Sequence, residues 1–400
     1  MVLPALIATA VALLFALVLI PVIRRMADHF KWYDRPSTRK IHTGLIPRLG
    51  GPGMYLSFLA AALLAPMLLR LIFGGSVNVR YQLRFLTLFL GITLIHTVGL
   101  IDDFRNLKAL FKFFIQLLAA GIVAFGGFLI RSLTLPYLGT ISLGVLAYPV
   151  TILWIVAISN AINLIDGMDG LAGGISAFAA LSMGIISLLQ GAGLTSILCF
   201  ALFGATVGFL VFNFPPAKIF MGDSGSLFLG FCLASIPLVG GISKASAFGT
   251  LLVPVTLLTI PILDTITSVI RRLRNRTPII HPDKEHIHHK LLGMGLNQRQ
   301  ILGVLCGFSV YLGVVAVSSV ILPEEVNVYL ILVVWAGSLL GYGLLYFMNT
   351  RKRSDIAVSD IAVSDAAVSD ASAFDAAAPN ADAQQDSEQS QSIRRFPRSG

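Results

Sequence analysis

Eleven apolar runs, each long enough to cross a bilayer, dominate this chain. They lie at about 2–23, 51–73, 85–101, 110–130, 145–163, 172–190, 194–213, 226–243, 247–270, 301–323 and 328–348. A helical span takes ~20 apolar residues. No single soluble core could bury so many such runs. Composition agrees, since 56% of the 400 residues are hydrophobic and only 12% are charged, about half the charge of an ordinary soluble domain. The 37 glycines and 18 prolines follow no fixed period, which excludes a collagen-like chain. The expected fold class is an all-α polytopic membrane protein, because a helix satisfies its own backbone in lipid.

The first run carries no charge and is followed by Arg24 and Arg25. A signal peptide has its positive charges first and a shorter apolar core, so this run reads as a retained helix. Eleven spans place the termini on opposite sides. One side then collects 24 Lys and Arg, or 18 without the residues after 348, and the other collects five: Arg70, Arg80, Arg84, Arg131 and Lys244. The positive-inside rule makes the first side cytoplasmic, with the N-terminus outside and the C-terminus in the cytoplasm. In this setting the net charge of +9 reflects cytoplasmic loops and anionic lipid, and no nucleic-acid partner is expected. Cys199, Cys232 and Cys306 lie far apart in apolar stretches and make neither a disulfide framework nor a CxxC site. The alternating stretch from Arg131 to Gly144 reads as a short outer hairpin. Two domains are expected: a transmembrane catalytic unit over 1–348, and a cytoplasmic tail over 349–400. The tail carries the five-residue repeat SDIAV-SDIAV-SDAAV and lacks the apolar residues to fold alone.

Outside the tail, ten of twelve acidic residues fall on the cytoplasmic side, and so do six of seven histidines, His96 being the exception within a span. Transporters usually place binding charges near the bilayer midplane; here the polar chemistry collects at one face. The first loop gathers Arg35, Arg39, Lys40, His42 and Arg48 ahead of Gly50, Gly51 and Gly53. Such glycines let backbone N–H groups approach a phosphate; an anchor of positive charge is the alternative. In GLIDDF, Asp102 and Asp103 repel one another unless a cation such as Mg²⁺ or Lys108 relieves them. In NAINLIDGMDGLAGG, Asn160 and Asn163 share a helix face, and Asp166 and Asp169 alternate with Gly167 and Gly170 in an irregular loop. Their oxygens suit a hard cation or nucleotide hydroxyls. In PAKIFMGDSGS, Lys218 precedes Asp223 at a helix start, where an acid serves either as an N-cap or at a phosphate–metal site. His286, His288 and His289 lie within HPDKEHIHHKLL. Zinc is disfavoured without cysteine partners, and imidazoles can instead donate to phosphate or sugar oxygens. Asp264, within a span, is either functional or paired with a cytoplasmic Arg or Lys.

Taken in order, RKIHTGLIPRLGG, GLIDDF, NAINLIDGMDGLAGG, PAKIFMGDSGSL and DKEHIHH resemble the motifs of the polyprenyl-phosphate N-acetylhexosamine-1-phosphate transferases, over residues 20 to 300. The histidine stretch is more similar to the WecA/TagO branch than to the MraY branch. The resemblance implies a bacterial inner-membrane enzyme working at the cytoplasmic face. It would pass N-acetylglucosamine-1-phosphate from UDP-N-acetylglucosamine to undecaprenyl phosphate or another polyprenyl phosphate, with release of UMP. It implies Mg²⁺, or Mn²⁺ in its place, with Asp223 as ligand and Asn163 as candidate second ligand. Asp102 and Asp103 match the catalytic pair. Asn160, Asp166 and Asp169 match positions around nucleotide and metal, Lys40 and Lys218 basic positions near the phosphates. His286, His288 and His289 match the loop that closes over diphosphate or sugar. A homodimer is also compatible with the family. The alternatives are a phospho-MurNAc-pentapeptide or other UDP-HexNAc specificity, and, in a different class, a non-catalytic scaffold or a transporter.

Overall fold

The computed structural model describes residues 2–33, 46–73, 84–135, 139–240, 249–276, 286–323, 326–327 and 329–344. Lys40, most of the first loop, and the tail with its expected boundary at 348 lie outside the described residues. The helices are α1 (Val2–Phe30), α2 (Gly50–Phe73), α3 (Phe85–Arg105), α4 (Ala109–Phe125), α5 (Ala147–Ile165), α6 (Leu171–Leu189), α7 (Gly193–Asn213), α8 (Gly222–Ser235), α9 (Gly249–Leu257), α10 (Thr259–Arg274), α11 (Ile287–Gly293), α12 (Gln298–Ile321) and α13 (Tyr329–Leu344). Between α4 and α5, β1 (Ser132–Leu135) and β2 (Gly139–Ser142) pair antiparallel in the register Ser132 to Ser142, forming the hairpin expected there.

Among the described residues, eight helices are long and apolar enough to cross a membrane, or nine if α9 and α10 form one span bent by 79°. α4 and α13 are apolar but shorter and occupy the other two expected runs. The chain is thus a multi-pass helical membrane protein. The bend has a local cause. Pro261 has no N–H to donate to the carbonyl four residues back, so the ladder breaks around Leu258.

The exposed positions are greasy. Leu6, Leu14 and Val18 of α1 face outward, while Ala5, Ala8, Ala12 and Ala16 are fully buried. That alanine stripe meets Gly204 and Gly208 of α7: a Cβ on Gly208 would lie 2.5 Å from Ala16 Cβ. Without a hydrophobic drive between helices in lipid, close approach through small residues holds such pairs together. The same device places α8 at the centre, packed by α2, α3 and α5. A Cβ on Gly230 would lie 2.6 Å from Ser159 Cα of α5, and one on Gly99 of α3 would lie 2.6 Å from the Asp223 carbonyl. The C-terminal ends of α3 and α5 and the N-terminal end of α8 therefore converge, bringing three motifs of distant sequence together.

Candidate active site

The two adjacent aspartates at the end of α3 point to different tasks. Asp103 accepts the backbone N–H groups of Asp223 and Ser224, at 2.7 and 3.1 Å, and the Ser224 hydroxyl at 2.6 Å. It caps α8 from another helix, since Met221 at the N-cap position makes no side-chain cap. Gly222 is required there. Its φ is +71°, and a Cβ would lie 2.5 Å from both the Arg48 carbonyl and an Asp103 oxygen. Asp223 is thus not the N-cap of α8. It lies in the first turn, with its side chain directed to neighbouring helices.

Asp102 accepts from the Leu107 N–H at 2.6 Å and from Lys112 Nζ at 2.9 Å. The same ammonium donates to Asp223 Oδ2 at 2.6 Å. The cation that relieves the aspartate pair is therefore Lys112, not Lys108, which is exposed at the start of α4. Geometry explains the exchange. Lys112 lies one turn inside α4, on the side that crosses α3, whereas Lys108 precedes the helix. The sequence signal was a single charge in an otherwise uncharged run.

From α5, Asn163 Nδ2 donates to Asp223 Oδ1 at 3.3 Å and to Ser226 Oγ at 2.8 Å. Asn160, one turn earlier, instead exchanges hydrogen bonds with Gln116 of α4 and supports the α4–α5 packing rather than Asp223. Past α5, Asp166 is half-buried among Asp223, Asp103 and Asp169. Loss of hydration, then these neighbouring carboxylates, hold its own carboxyl well above the usual range, while Arg48 pulls the other way. Asp169 is buried and accepts the Ala217 N–H at 3.0 Å, bracing the turn that follows α7. Gly170, at φ +74°, then starts α6, with its N–H on Asn213 Oδ1. Lys218 is exposed, and its backbone N–H donates to the Phe212 carbonyl.

The reading of Gly50, Gly51 and Gly53 as a phosphate cradle is overturned. The N–H groups of Gly50 and Gly51 donate to the carbonyls of Phe220 and Met221, at 2.9 and 3.0 Å. These glycines exist for packing: a Cβ on Gly51 would overlap Ser224 Oγ, and one on Gly53 would lie 2.6 Å from Ile20.

The histidines form a second centre. Asp264, on α10, is paired with His286 rather than with an Arg or Lys: His286 Nδ1 lies 2.7 Å from Asp264 Oδ2. The Ile287 N–H and the Tyr342 hydroxyl donate to Asp264 Oδ1, at 2.8 and 3.0 Å. His288 is buried two residues on, stacked on His286 at 4° with centroids 6.0 Å apart, and His289 lies 4.4 Å beyond it. A Cβ on Gly167 would lie 2.7 Å from His288 Cε1 and Nε2, so this centre abuts the Asp166 loop. Burial, then the neighbouring His289 and His286, push the His288 pKa down to about 4. The ring is neutral at physiological pH, with one donor and one acceptor nitrogen.

No group of three or more His, Cys, Asp or Glu among the described residues is arranged to hold a metal by itself. The donor set suits Mg²⁺. Its acids offer only oxygen and outnumber the cations beside them, whereas Asn163 turns its amide nitrogen toward Asp223 and would have to turn over to offer its oxygen. Mg²⁺ usually takes only one or two protein carboxylates, leaving the rest to phosphate and water.

Residues 85–241 match the family described as glycosyl transferase family 4. Along the chain there is 36% identity over 332 residues to the probable undecaprenyl-phosphate N-acetylglucosaminyl 1-phosphate transferase of Bacillus subtilis, covering 82% of this chain and 89% of that one. The decaprenyl-phosphate N-acetylglucosaminephosphotransferase of Mycolicibacterium smegmatis is 36% identical over 300 residues, 70% of this chain and 73% of its own length. The undecaprenyl-phosphate alpha-N-acetylglucosaminyl 1-phosphate transferase of Escherichia coli K12 is 31% identical over 324 residues, 77% and 83% of the two chains.

Proposed function

The chain belongs to glycosyl transferase family 4, with the polyprenyl-phosphate N-acetylglucosamine-1-phosphate transferases it matches, and from that membership we propose that it transfers N-acetylglucosamine-1-phosphate from UDP-N-acetylglucosamine to undecaprenyl phosphate, releasing UMP. This is the first membrane step toward a cell-envelope polysaccharide. The observation that carries the reading is the place of Asp223: first turn of α8, shared by Lys112 and Asn163, with Asp102 on the same ammonium. We read the site as cytoplasmic in the bacterial plasma membrane, supported by the division of 24 Lys and Arg against five.

One displacement suffices. An oxygen of the lipid phosphate forms a bond to the sugar-bearing phosphorus of the donor. The bond from that phosphorus to the bridging oxygen breaks, and its electron pair leaves on UMP. The second pKa of a phosphomonoester is about 6, so the lipid phosphate is largely a dianion at neutral pH and needs no general base. The aspartates at the end of α3 are engaged otherwise: Asp103 holds the start of α8, and Asp102 holds Lys112. Lys112 places positive charge where charge spreads over the transferring group. Mg²⁺, or Mn²⁺ in its place, would be held by Asp223 with Asn163, drawing negative charge from the diphosphate and the leaving UMP. The neutral imidazole of His288, and His286 and His289 beside it, offer donors to sugar or phosphate oxygens.

The test is UMP release by the purified full-length protein in detergent, given UDP-N-acetylglucosamine, undecaprenyl phosphate and Mg²⁺. Release should require lipid and metal, and Asp223→Ala should abolish it in protein that melts as the wild type does. Release only with UDP-MurNAc-pentapeptide would keep the chemistry and move the donor. Silence with every donor, from folded protein, would leave a non-catalytic scaffold.

A further inference from the structure

Asp264 is 1% exposed. A carboxylate so enclosed is held by its donors, since each one lost leaves part of the charge unsolvated. Two of its donors start α11: His286, through Nδ1, and the Ile287 N–H. The third comes from the other end of the transferase unit. Tyr342, 78 residues away near the end of α13, donates its hydroxyl to Asp264 Oδ1 at 3.0 Å. The Tyr342 hydroxyl is also 2.9 Å from Thr267 Oγ1, one turn along α10. Its ring lies under the Lys290 ammonium of α11, 5.4 Å from the centroid. Tyr342 thus touches both helices that the Asp264 carboxylate joins. Beyond His286 the chain of contacts runs through the parallel His288 ring to Gly167, in the loop that carries Asp166.

We propose that Tyr342 is a positioning residue for the histidine centre: its hydroxyl fixes Asp264, and Asp264 fixes the His286 ring and the first turn of the helix bearing His288. The hydroxyl sets geometry and touches no substrate. Removing it lets the carboxylate rotate toward its remaining donors, and the His286 ring and the start of α11 turn with it. Misplacement of groups around a reacting centre by a fraction of an ångström is enough to slow a displacement.

The kinetic part of the test rests on the transferase reading; the spectroscopic part does not. Tyr342→Phe keeps the ring and removes only the hydroxyl. It should lower kcat/KM about tenfold, the scale of one hydrogen bond to a charged group, while lowering the melting temperature in detergent by only a few degrees, so that the protein stays folded under assay. In a His286→Ala background the same substitution should cost clearly less than it does alone, because much of its effect runs through that ring and only the Ile287 N–H link remains. In protein labelled with ¹⁵N-histidine, the Nδ1 resonance lost in His286→Ala should move in Tyr342→Phe whether or not any donor is turned over. An active wild type with Tyr342→Phe at full rate would overturn the proposal, as would an equal loss in the His286→Ala background. An unmoved His286 resonance would overturn it even if the wild type were inactive, an outcome that would separately sink the transferase reading.

Discussion

Asp103 and Asp264 perform the same local task in different surroundings. Each accepts from the backbone at the start of another helix, Asp103 two N–H groups of α8 and Asp264 the Ile287 N–H of α11. Around Asp103 stand further carboxylates, Asp102, Asp223 and Asp166, against the nearby Lys112 and Arg48. Asp264 instead meets donors from His286, Ile287 and Tyr342. The first centre has more acid than base, so a cation would relieve it and phosphates would repel it unless a cation came with them. In the second, the carboxylate itself is satisfied by hydrogen bonds, one of which holds the His286 ring against which His288 lies. Two aspartate caps can thus look alike in sequence and differ in purpose, because the neighbours brought by other helices decide whether charge is left over.

The largest effect should come from breaking the charge balance of the first centre. Lys112→Met keeps the length of the side chain and removes the ammonium that Asp102 and Asp223 share. Stripping one partner from a partly buried ion pair costs a few kcal/mol, so kcat/KM should fall about a hundredfold or more. The apparent Mg²⁺ requirement should fall too, because the site then carries one more uncompensated negative charge. A wild-type rate in this variant would mean that the lysine is a packing element, and the contrast between the two centres would lose its basis.

A smaller effect sharpens the other side of the comparison. His288 is buried, its Nδ1 has no hydrogen-bond partner among the described residues, and its pKa is pushed down to about 4 from 6.5. The folded protein therefore binds no proton there between those values, whereas the unfolded chain does. The stability this group contributes is complete above pH 6.5 and is lost as the pH falls toward 4. The ceiling is about 3 kcal/mol, from 1.36 kcal/mol for each tenfold difference in proton affinity. Melting temperatures measured from pH 7 to pH 4.5 should decline more steeply for the wild type than for His288→Gln. Parallel curves would show that the imidazole is hydrated in solution and that the second centre is more open than its packing indicates.

How much of this was readable in the chain depends on which kind of contact is asked about. The helical membrane architecture followed from the apolar runs, and the loop at Asp166 and Asp169 from its alternating glycines. Asp223 stood out through GDSGS, and the hairpin near Arg131 through its alternation. What stayed hidden were pairings set by helix crossings. Asp103 reaches Ser224 across 121 residues, and Asn160 meets Gln116 rather than Asp223 because successive turns of α5 face different neighbours. The glycines in the first turn of α2 suggested a phosphate loop, since a glycine needed for helix packing and one needed for ligand approach are identical in sequence. Only the carbonyls of Phe220 and Met221, already on those N–H groups, separate the two.

The smallest expected effect tests that distinction directly. Lys108 and Lys112 follow the same aspartate pair, and by spacing alone either could neutralise it. The structure leaves Lys108 exposed at the start of α4 and places Lys112 between Asp102 and Asp223. Exposed charges away from a partner contribute within about ±0.5 kcal/mol, so Lys108→Gln should leave kcat/KM within about twofold of wild type, at low and at moderate salt. A loss comparable to that of Lys112→Met would mean that the exposed lysine swings onto the bound diphosphate. The positive charge serving the reaction would then be recruited from the surface when substrate arrives, rather than built into the packing of α3, α4 and α8.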